Sequence, residues 1–376
     1  MKQRLFTPGP TPLPEEVRLG QAREIVHHRG KEFAEIFKEV RQGLRYVFQT
    51  EEEVFVFTAS GTGAMEAAVA NLLSSEDRVL VIKGGKFGER WAEIATAFGV
   101  QVIPLDVKWG SAPDPGLIKK KLTAHPEIKG VFTQLVETST GAVYDIKAIA
   151  EAVRPTEAIL VVDAISGLGA QFLPTNEWGI DVVIGGSQKA LMIPPGLAFV
   201  TLSLKAWNFV ENSRTPRYYW DFKKVRKALD KNQTPYTPAV SLICALKESL
   251  ILIKKEGWEN VLARHARLAE ATRRAALALG LKIFSKVPSN VLTAIEVPPG
   301  INGNELRTIM REGYGVQVAG GQEELRGKII RIAHLGWMDR SDMVAAIFSL
   351  EMSLSKLGYP VALGKGIAAA EEVLKE

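Results

Sequence analysis

The chain has 376 residues, of which 46% are hydrophobic and 24% charged, as in soluble globular proteins, and this length favours two domains. Its formal net charge of +5 is modest, and its lysines and arginines are spread along the sequence, which argues against nucleic-acid binding. No apolar run is long enough to span a membrane and the N-terminal segment lacks a signal-peptide core, so we expect a cytoplasmic protein without a membrane partner.

The N-terminal part of the chain predicts an extended arm followed by a helix and a strand. Four prolines within residues 1–15 indicate an extended arm, because proline fixes φ and lacks the N–H that a helix needs. From residue 32 to residue 48, apolar residues recur at spacings of three and four, which predicts an amphipathic helix. The apolar segment 54–57 predicts a short buried strand, which leads through a glycine-rich turn into a helical stretch.

Strands and helices then alternate as far as residue 202. The predicted strands are 54–57, 78–82, 101–104, 130–134, 159–163, 182–184 and 198–202. The predicted helices among them are 87–98, 115–125 and 146–153. Strands separated by helical lengths indicate an α/β fold with a mostly parallel, seven-stranded sheet between helices. Ligands of such sheets bind at the carboxyl ends of the strands.

The pattern changes after Pro238. The predicted elements there are helices 239–255 and 260–279, strand 290–297, helix 303–312, strand 328–332 and helix 341–357. This order indicates a smaller C-terminal α+β domain. We therefore expect an N-terminal arm at 1–15, a large domain at 16–257 and a small domain at 258–376.

One lysine follows the predicted strand 182–184. Lys189 lies within the segment GGSQKALMIPPG of residues 185–196, whose prolines and small residues fix the backbone. Burial there would disfavour the charge of the amine, which could then act as a nucleophile or base near neutral pH. The alternative is a surface lysine after a strand, and for an arbitrary lysine that alternative is the commoner one.

Two further features could serve such a lysine. The turn from Gly61 to Gly63 precedes a helix and offers backbone N–H groups to an anion, although a purely structural turn is equally common. A single phosphate suits this turn better than a dinucleotide, because Glu66 replaces the third glycine of the dinucleotide fingerprint. Asp163 ends a strand of buried aliphatic residues, where it would either cap the next segment or keep a ring nitrogen protonated.

Together these segments resemble the class V aminotransferases of the pyridoxal-phosphate fold type I superfamily, and most of all the alanine–glyoxylate and serine–pyruvate aminotransferase group. The resemblance runs from residues 8–10 (PGP) to residues 331–336 (RIAHLG), and its most specific parts are SQKAL at 187–191 and PPG at 194–196. It implies a fold type I structure with a large cofactor-binding domain, pyridoxal 5′-phosphate as the cofactor and transamination as the reaction.

The resemblance also implies roles for individual residues. Lys189 would form the aldimine with the cofactor and act as the base, and Asp163 would pair with the protonated pyridine nitrogen. Arg331 would clamp the substrate carboxylate, and Gly9 would line the substrate pocket. The other expected cofactor-binding residues are Thr62, Gly63 and Ala64 at the phosphate, Gln188 at its edge, Phe87 and Ile165 on the two faces of the ring, and Thr138 near it.

In this family a tyrosine and, three residues later, a threonine reach the phosphate from the other subunit of a dimer. Thr237 matches the threonine, but the tyrosine directly precedes it here, as Tyr236. The resemblance therefore implies a homodimer in which Thr237 contributes to the neighbouring site, with Tyr236 as a further candidate.

The resemblance favours alanine or serine as the amino donor and glyoxylate or pyruvate as the acceptor. Aspartate remains an alternative, as does an amino acid with a phosphoryl, phosphonate or sulfonate group, for which Arg29, Arg214 and Arg217 could supply charge. A nucleotide-binding oxidoreductase that uses the glycine-rich turn is less favoured, and the predicted catalytic residues argue against a non-catalytic partner protein.

The sole cysteine, Cys244, bears on a related activity of the same superfamily. A cysteine desulfurase needs a mobile, reactive cysteine, whereas Cys244 falls inside a predicted helix and is expected to be buried and inert. A single cysteine also excludes an intrachain disulfide and a cysteine-rich zinc site, and the five histidines are scattered, so we expect no metal site.

Overall fold

The computed structural model describes residues 2–375. The helices in this part of the chain are α1 Glu15–Gln21, α2 Lys31–Phe48, α3 Gly61–Leu72, α4 Lys86–Ala97, α5 Pro115–Ala124, α6 Ile146–Val153, α7 Thr175–Trp178, α8 Leu204–Asn212, α9 Phe222–Leu229, α10 Val240–Glu256, α11 Trp258–Ala278, α12 Gly303–Tyr314, α13 Arg340–Lys356 and α14 Lys365–Leu374. The strands are β1 Arg4–Phe6, β2 Val54–Ala59, β3 Arg78–Lys83, β4 Gln101–Asp106, β5 Ile128–Gln134, β6 Val136–Glu137, β7 Ala142–Val143, β8 Ile159–Asp163, β9 Val182–Gly186, β10 Gly196–Leu202, β11 Leu292–Glu296, β12 Val316–Gly320 and β13 Ile329–Ala333.

The larger sheet has the strand order β2-β10-β9-β8-β5-β3-β4. Strand β10 is antiparallel to both of its neighbours, and the other pairs are parallel. The central strands β8 and β9 are buried along their whole length, as expected for apolar strands covered by helices on both faces. The predicted seven-stranded, mostly parallel sheet is therefore confirmed.

This sheet brings four chain segments to one edge. Strand β2 leads into α3, β3 leads into α4, β8 ends at Asp163, and β9 ends two residues before Gln188. Because β2, β3, β8 and β9 all run in the same direction, these segments leave the sheet at its carboxyl edge. The candidate functional residues of the larger sheet meet at this edge.

A second, four-stranded sheet has the order β1-β12-β13-β11. Its first strand comes from the N-terminal arm, since Arg4–Phe6 pairs in parallel with β12, and Phe6 is buried in a hydrophobic cluster with residues of α11, α12 and α13. Part of the predicted arm is thus a strand that completes the C-terminal sheet, and the limits of the arm at 1–15 remain a prediction. Gly257, with φ of 89°, separates α10 from α11, and the domain limit predicted there remains a prediction.

Two smaller expectations concern Cys244 and the membrane. Cys244 lies on α10, as predicted, but it is only half-buried, and burial raises the pKa of its thiol. The expected burial is therefore wrong in degree, since Cys244 packs against the large hydrophobic cluster with only part of its side chain. No helix within residues 2–375 combines the length and the apolar character that a membrane span requires.

Candidate active site

Lys189 lies in a turn between β9 and β10 that side-chain hydrogen bonds hold in place. Ser187 Oγ donates to the carbonyl of Pro194 over 2.7 Å and accepts from the backbone N–H of Leu197 over 3.2 Å. Thr11 Oγ1 donates to the carbonyl oxygen of Lys189 over 2.9 Å. These hydrogen bonds therefore hold the predicted rigid turn in shape and attach it to the N-terminal arm.

The side chain of Lys189 is buried, with 8% of its surface exposed, and its Nζ donates a hydrogen bond to the carbonyl oxygen of Pro8. Burial lowers the pKa of Lys189 to about 8; the Asp163 carboxylate opposes this shift, and the cations of Arg331 and Arg90 add to it. The amine is thus partly neutral just above neutral pH. The alternative of a surface lysine is wrong.

Asp163 is buried at the end of β8. Its Oδ1 accepts a hydrogen bond from the backbone N–H of Ile165 over 2.8 Å, and within residues 2–375 no hydrogen bond reaches its Oδ2. Burial raises the pKa of Asp163 to about 7, and Lys189 draws it down. No helix begins directly after Asp163, so the side chain closes a turn and does not cap a helix. A cation beside Oδ2 would compensate for the burial of this carboxylate.

The first turn of α3 is a candidate anion cradle. The N-cap residue Ser60 makes no side-chain hydrogen bond to the helix, so the first N–H groups have no side-chain acceptor. A Cβ on Gly61 would lie 2.4 Å from Ile165 Cδ1, and a Cβ on Gly63 would lie 2.9 Å from the Trp220 ring, so neither position accepts a larger residue without rearrangement. Ala64, which follows, is buried in the same turn.

Gln188 carries a buried amide oxygen beside this cradle. Its Oε1 has no hydrogen-bond partner among the described residues, and a Cβ on Gly186 would lie 3.4 Å from it and 3.0 Å from Ile165 Cγ2. An unpaired buried amide oxygen is costly. Gln188 and Ile165 thus lie together at the end of β9, and Ile165 also packs against the first turn of α3.

Phe87 and Thr138 lie at the ends of neighbouring elements. Phe87 is in the first turn of α4 and is partly exposed. The Thr138 hydroxyl is buried and lies 2.6 Å from Ser166 Oγ, three residues beyond Asp163 in the chain. Thr138 is therefore beside the turn that carries Asp163.

Arg331 connects the smaller sheet to this site. It lies on β13 with 6% of its surface exposed, its Nε donates to the carbonyl of Gly320 over 2.9 Å, and one NH2 group donates to the carbonyl of Thr138 over 2.7 Å. Burial lowers the pKa of Arg331 to about 10, and Glu137 opposes this shift. The guanidinium therefore remains charged at neutral pH and keeps further N–H groups for an anionic ligand.

Gly9 touches the lysine directly. A Cβ at this position would lie 2.7 Å from Cδ, Cε and Nζ of Lys189, and Gly9 has φ of 134°. The structure thus brings Lys189, Asp163, Thr138, Arg331 and Gly9 together.

Two charged residues of the site were missed by the sequence analysis. Glu137 is fully buried, and its carboxylate accepts hydrogen bonds from the backbone N–H groups of Phe87 and Gly88. Arg90 donates to Thr62 Oγ1 over 3.3 Å, and its charge acts on both Asp163 and Lys189. An acidic residue just after a buried strand was the available signal for Glu137, and the spacing of three from Phe87 was the signal for Arg90.

Tyr236 and Thr237 lie outside this group. The Tyr236 hydroxyl donates to the carbonyl of Tyr218 over 2.9 Å, and its ring stacks on Tyr219 at 5.3 Å between centroids. Thr237 is exposed. These two residues therefore lie at the surface of their own chain, and their predicted role in a neighbouring site remains a prediction.

Two of the arginines considered for a phosphoryl or sulfonate group have backbone partners. Arg29 donates to the carbonyl oxygens of Thr234 and Pro235 over 2.5 and 3.1 Å. Arg217 donates to the carbonyl oxygens of residues 70, 213, 215 and 210. Both guanidinium groups thus hold the chain together, which weakens that alternative.

A family model for class V aminotransferases matches residues 15–333. The chain belongs to the class V aminotransferases. Membership covers most of the length of the chain, including Lys189, Asp163 and Arg331, and it sets the oxidoreductase alternative aside.

Relatives of this class V aminotransferase align over nearly its whole length. The 42 kDa subunit of soluble hydrogenase from Anabaena cylindrica is 43% identical over 99% of this chain and 98% of its own. L-aspartate–glyoxylate aminotransferase from Paracoccus denitrificans is 37% identical over 98% and 95%. Serine–glyoxylate aminotransferase from Methylorubrum extorquens is 36% identical over 100% and 96%.

Solved structures agree with this assignment. Pyridoxamine–pyruvate aminotransferase from Mesorhizobium loti has a TM-score of 0.95 and 30% identity, covering 99% of this chain and 97% of its own. Alanine–glyoxylate aminotransferase from Nostoc sp. has a TM-score of 0.91 and 28% identity, covering 94% and 96%. The fold type I architecture expected from the resemblance is therefore confirmed.

Proposed function

We propose that this aminotransferase uses pyridoxal 5′-phosphate to transfer the amino group of a small amino acid, alanine or serine, to glyoxylate or pyruvate. The observation that carries the proposal is Lys189, a buried amine whose pKa is lowered to about 8 and whose neighbours include one carboxylate and one clamping guanidinium. Such an amine can form a covalent bond to a carbonyl compound and move a proton near neutral pH.

The residues around Lys189 fit this cofactor. The cradle at the start of α3, with Thr62, Gly63 and Ala64, suits a phosphate, and Gln188 Oε1 lacks a partner. Asp163 Oδ2 suits a protonated ring nitrogen, because such a cation would compensate for the buried carboxylate. When bound, pyridoxal 5′-phosphate supplies an electron sink for the bond that breaks at the substrate α-carbon.

The side chains divide the remaining work. Phe87, Ile165 and Thr138 would bound the ring, and Arg331 would hold the substrate carboxylate so that its α-hydrogen faces Lys189. Lys189 would remove that proton and return it to the cofactor side, which its lowered pKa favours. Gly9 would leave room for the substrate beside the lysine.

The substrate assignment rests on the relatives and on the charges near the site. Relatives named serine–glyoxylate and L-aspartate–glyoxylate aminotransferase support glyoxylate as an acceptor. A donor such as aspartate needs a second cation besides Arg331, and the nearby Arg90 is bonded to Thr62. Small donors are therefore favoured.

We further propose a homodimer in the cytoplasm in which Thr237 reaches the phosphate of the neighbouring site. Thr237 is exposed on its own chain, and Arg29 fixes the adjacent residues Thr234 and Pro235, so this segment is presented outward in a defined conformation. The Tyr236 hydroxyl is already bonded within its chain, which leaves Thr237 as the better candidate.

Replacing Lys189 with alanine tests the proposal. The variant should lose the absorbance band that a covalent bond between Lys189 and the cofactor gives, and all transamination, while Lys254→Ala on the exposed face of α10 should retain both. Full activity of Lys189→Ala would refute the assignment.

A panel of donors tests the substrate. Alanine, serine and aspartate would be compared with glyoxylate, pyruvate and 2-oxoglutarate as acceptors, by the kcat/KM for each pair. A preference for aspartate, or indifference to glyoxylate, would contradict the proposed substrates and leave the reaction class intact.

A further inference from the structure

Arg90 extends from α4 toward the start of α3. One NH2 group donates to Thr62 Oγ1 over 3.3 Å, and its Cζ lies 4.9 Å from the centroid of the Phe87 ring. Because Phe87 and Arg90 are three residues apart on one helix, they lie on the same face of α4. Arg90 thus lies between a residue expected at the phosphate and a residue expected at the ring.

The charge of Arg90 lacks a counterion. In the described part of the chain, no carboxylate oxygen lies within 4.0 Å of its guanidinium. Lys86, one turn earlier on the same helix, instead lies within 4.0 Å of the carboxylates of Glu89, Glu93 and Glu323. The two cations lie one turn apart on α4, and of the two only Lys86 has carboxylate partners in the described part of the chain.

The position of Arg90 is also unfavourable without an anion. Thr62 is the second residue of α3, where the helix presents its N–H groups and the positive end of its dipole. A guanidinium placed there is repelled unless a negative group binds between them. The same cation lowers the pKa of both Lys189 and Asp163, so its field reaches across the site.

We propose that Arg90 binds the phosphate group of pyridoxal 5′-phosphate together with Thr62 and the N-terminal amides of α3. The Thr62 oxygen accepts from Arg90, so the hydroxyl proton is free to donate to a phosphate oxygen. Arg90 is then a determinant of cofactor affinity. This inference rests on the proposed use of this cofactor.

The other role for such a cation is to bind the second carboxylate of a dicarboxylic donor such as aspartate. The geometry favours the phosphate, because the hydrogen bond of Arg90 goes to Thr62 at the start of α3. Arg331, the residue expected to bind the substrate, instead lies on β13 of the smaller sheet. If Arg90 binds the phosphate, its loss should weaken the binding of pyridoxal 5′-phosphate. If it binds the second carboxylate of the donor, its loss should raise the KM for aspartate instead.

The test compares the affinities of the apoprotein for pyridoxal 5′-phosphate and for pyridoxal, which lacks the phosphate. Arg90→Gln should weaken the binding of pyridoxal 5′-phosphate about 10- to 100-fold, as the loss of a charge-assisted hydrogen bond does, and should change the binding of pyridoxal less than about threefold. Arg90→Lys keeps the positive charge but lacks the planar, two-pronged guanidinium. Its affinity for pyridoxal 5′-phosphate should lie between those of the wild type and Arg90→Gln. Inorganic phosphate should compete with the cofactor less well in Arg90→Gln than in the wild type.

Lys86→Gln is the matched control, because it removes one positive charge one turn away on the same helix, where glutamates already neutralise that charge. It should bind both compounds as the wild type does. Circular dichroism and thermal unfolding of each apoprotein report on folding, and the Arg90→Lys affinities decide the matter if Arg90→Gln does not fold.

Three results would overturn the inference. Arg90→Gln could bind pyridoxal 5′-phosphate as tightly as the wild type, or it could lose affinity for both compounds equally, which would assign Arg90 to the ring. It could also keep both affinities while the KM for aspartate alone rises, which would assign it to the substrate. If the wild-type apoprotein binds no pyridoxal 5′-phosphate, the proposed function itself fails.

Discussion

The Glu137 carboxylate accepts a hydrogen bond from the backbone N–H of Phe87 over 3.2 Å and so fixes the first turn of α4. The same carboxylate accepts from the N–H of Gly88 over 3.1 Å and from Gln134 Nε2 over 2.9 Å. Burial raises the pKa of Glu137, and hydrogen bonds from Ser139, Gly88 and Phe87 oppose that shift. A buried acceptor at a helix N-terminus thus positions the aromatic ring expected to contact the cofactor.

Glu137→Gln should destabilise the protein and disturb the site. A glutamine turns one end of the side chain into a donor that faces donors, so the free energy of unfolding should fall by about 1–3 kcal/mol. The loss of the charge should also lower the pKa of Asp163, which Glu137 raises. Urea unfolding measures the first effect. Glu93→Gln on the exposed face of α4 is the control, and equal stability of the two variants would contradict the role of Glu137.

The sequence predicted the larger sheet well because its strands are signalled locally. Each of its seven strands overlaps a predicted one, and the buried aliphatic runs of β8 and β9 left little ambiguity. Only two of the four strands of the smaller sheet, β11 and β13, were predicted. Strands β1 and β12 were missed because they pair with each other across about 300 residues of sequence, and nothing in either short segment reveals that partner.

The same distinction applies to the site. Lys189 and Asp163 stand in segments whose own composition is unusual, so they could be found from sequence, and their burial agrees with that prediction. Glu137 and Arg90 look like ordinary charged residues until the fold brings the ends of three strands together. Their significance lies in contacts with other elements, which no local pattern records.

Gly9→Ala should displace Lys189, the proposed catalytic lysine. A Cβ at Gly9 would lie 2.7 Å from Cδ, Cε and Nζ of Lys189, so the lysine or the arm must move. We expect at least a tenfold loss of kcat, by the argument that small misplacements at reacting groups are costly. The control is Gly300→Ala, since Gly300 also has positive φ but its Cβ would meet nothing within 4 Å. Equal kcat in both variants would show that the contact is harmless.

Glu351 should hold the C-terminal helix in place. Its buried carboxylate accepts from the N–H groups of Gly364 and Gly366, both over 2.7 Å, at the start of α14. Glu351→Ala leaves these donors without their acceptor and should lower the free energy of unfolding by about 2–4 kcal/mol, with earlier proteolysis between α13 and α14. Glu371→Ala on the exposed side of α14 is the control. Unchanged proteolysis in Glu351→Ala would contradict the proposal that Glu351 holds α14 in place.

Asp163→Asn should stabilise the apoprotein in a pH-dependent way. Burial raises the pKa of Asp163 from 3.8 to about 7. Between these two pH values the folded protein therefore keeps a proton on Asp163 that the unfolded chain has already lost. Raising the pH through this window therefore removes stability from the wild type, by at most about 1.4 kcal/mol per pH unit for one proton. Asparagine cannot ionise, yet it can still accept from the N–H of Ile165.

The stability of Asp163→Asn relative to the wild-type apoprotein should accordingly grow between about pH 4 and pH 7 and stay constant above. Urea unfolding at several pH values measures it, with Asp106→Asn at the exposed end of β4 as the control for the amide substitution. Added pyridoxal 5′-phosphate should reverse the order, since a protonated ring nitrogen stabilises the carboxylate of the wild type and not the amide. A wild-type advantage without cofactor at pH 8 would mean that the buried carboxylate already has its cation within the chain.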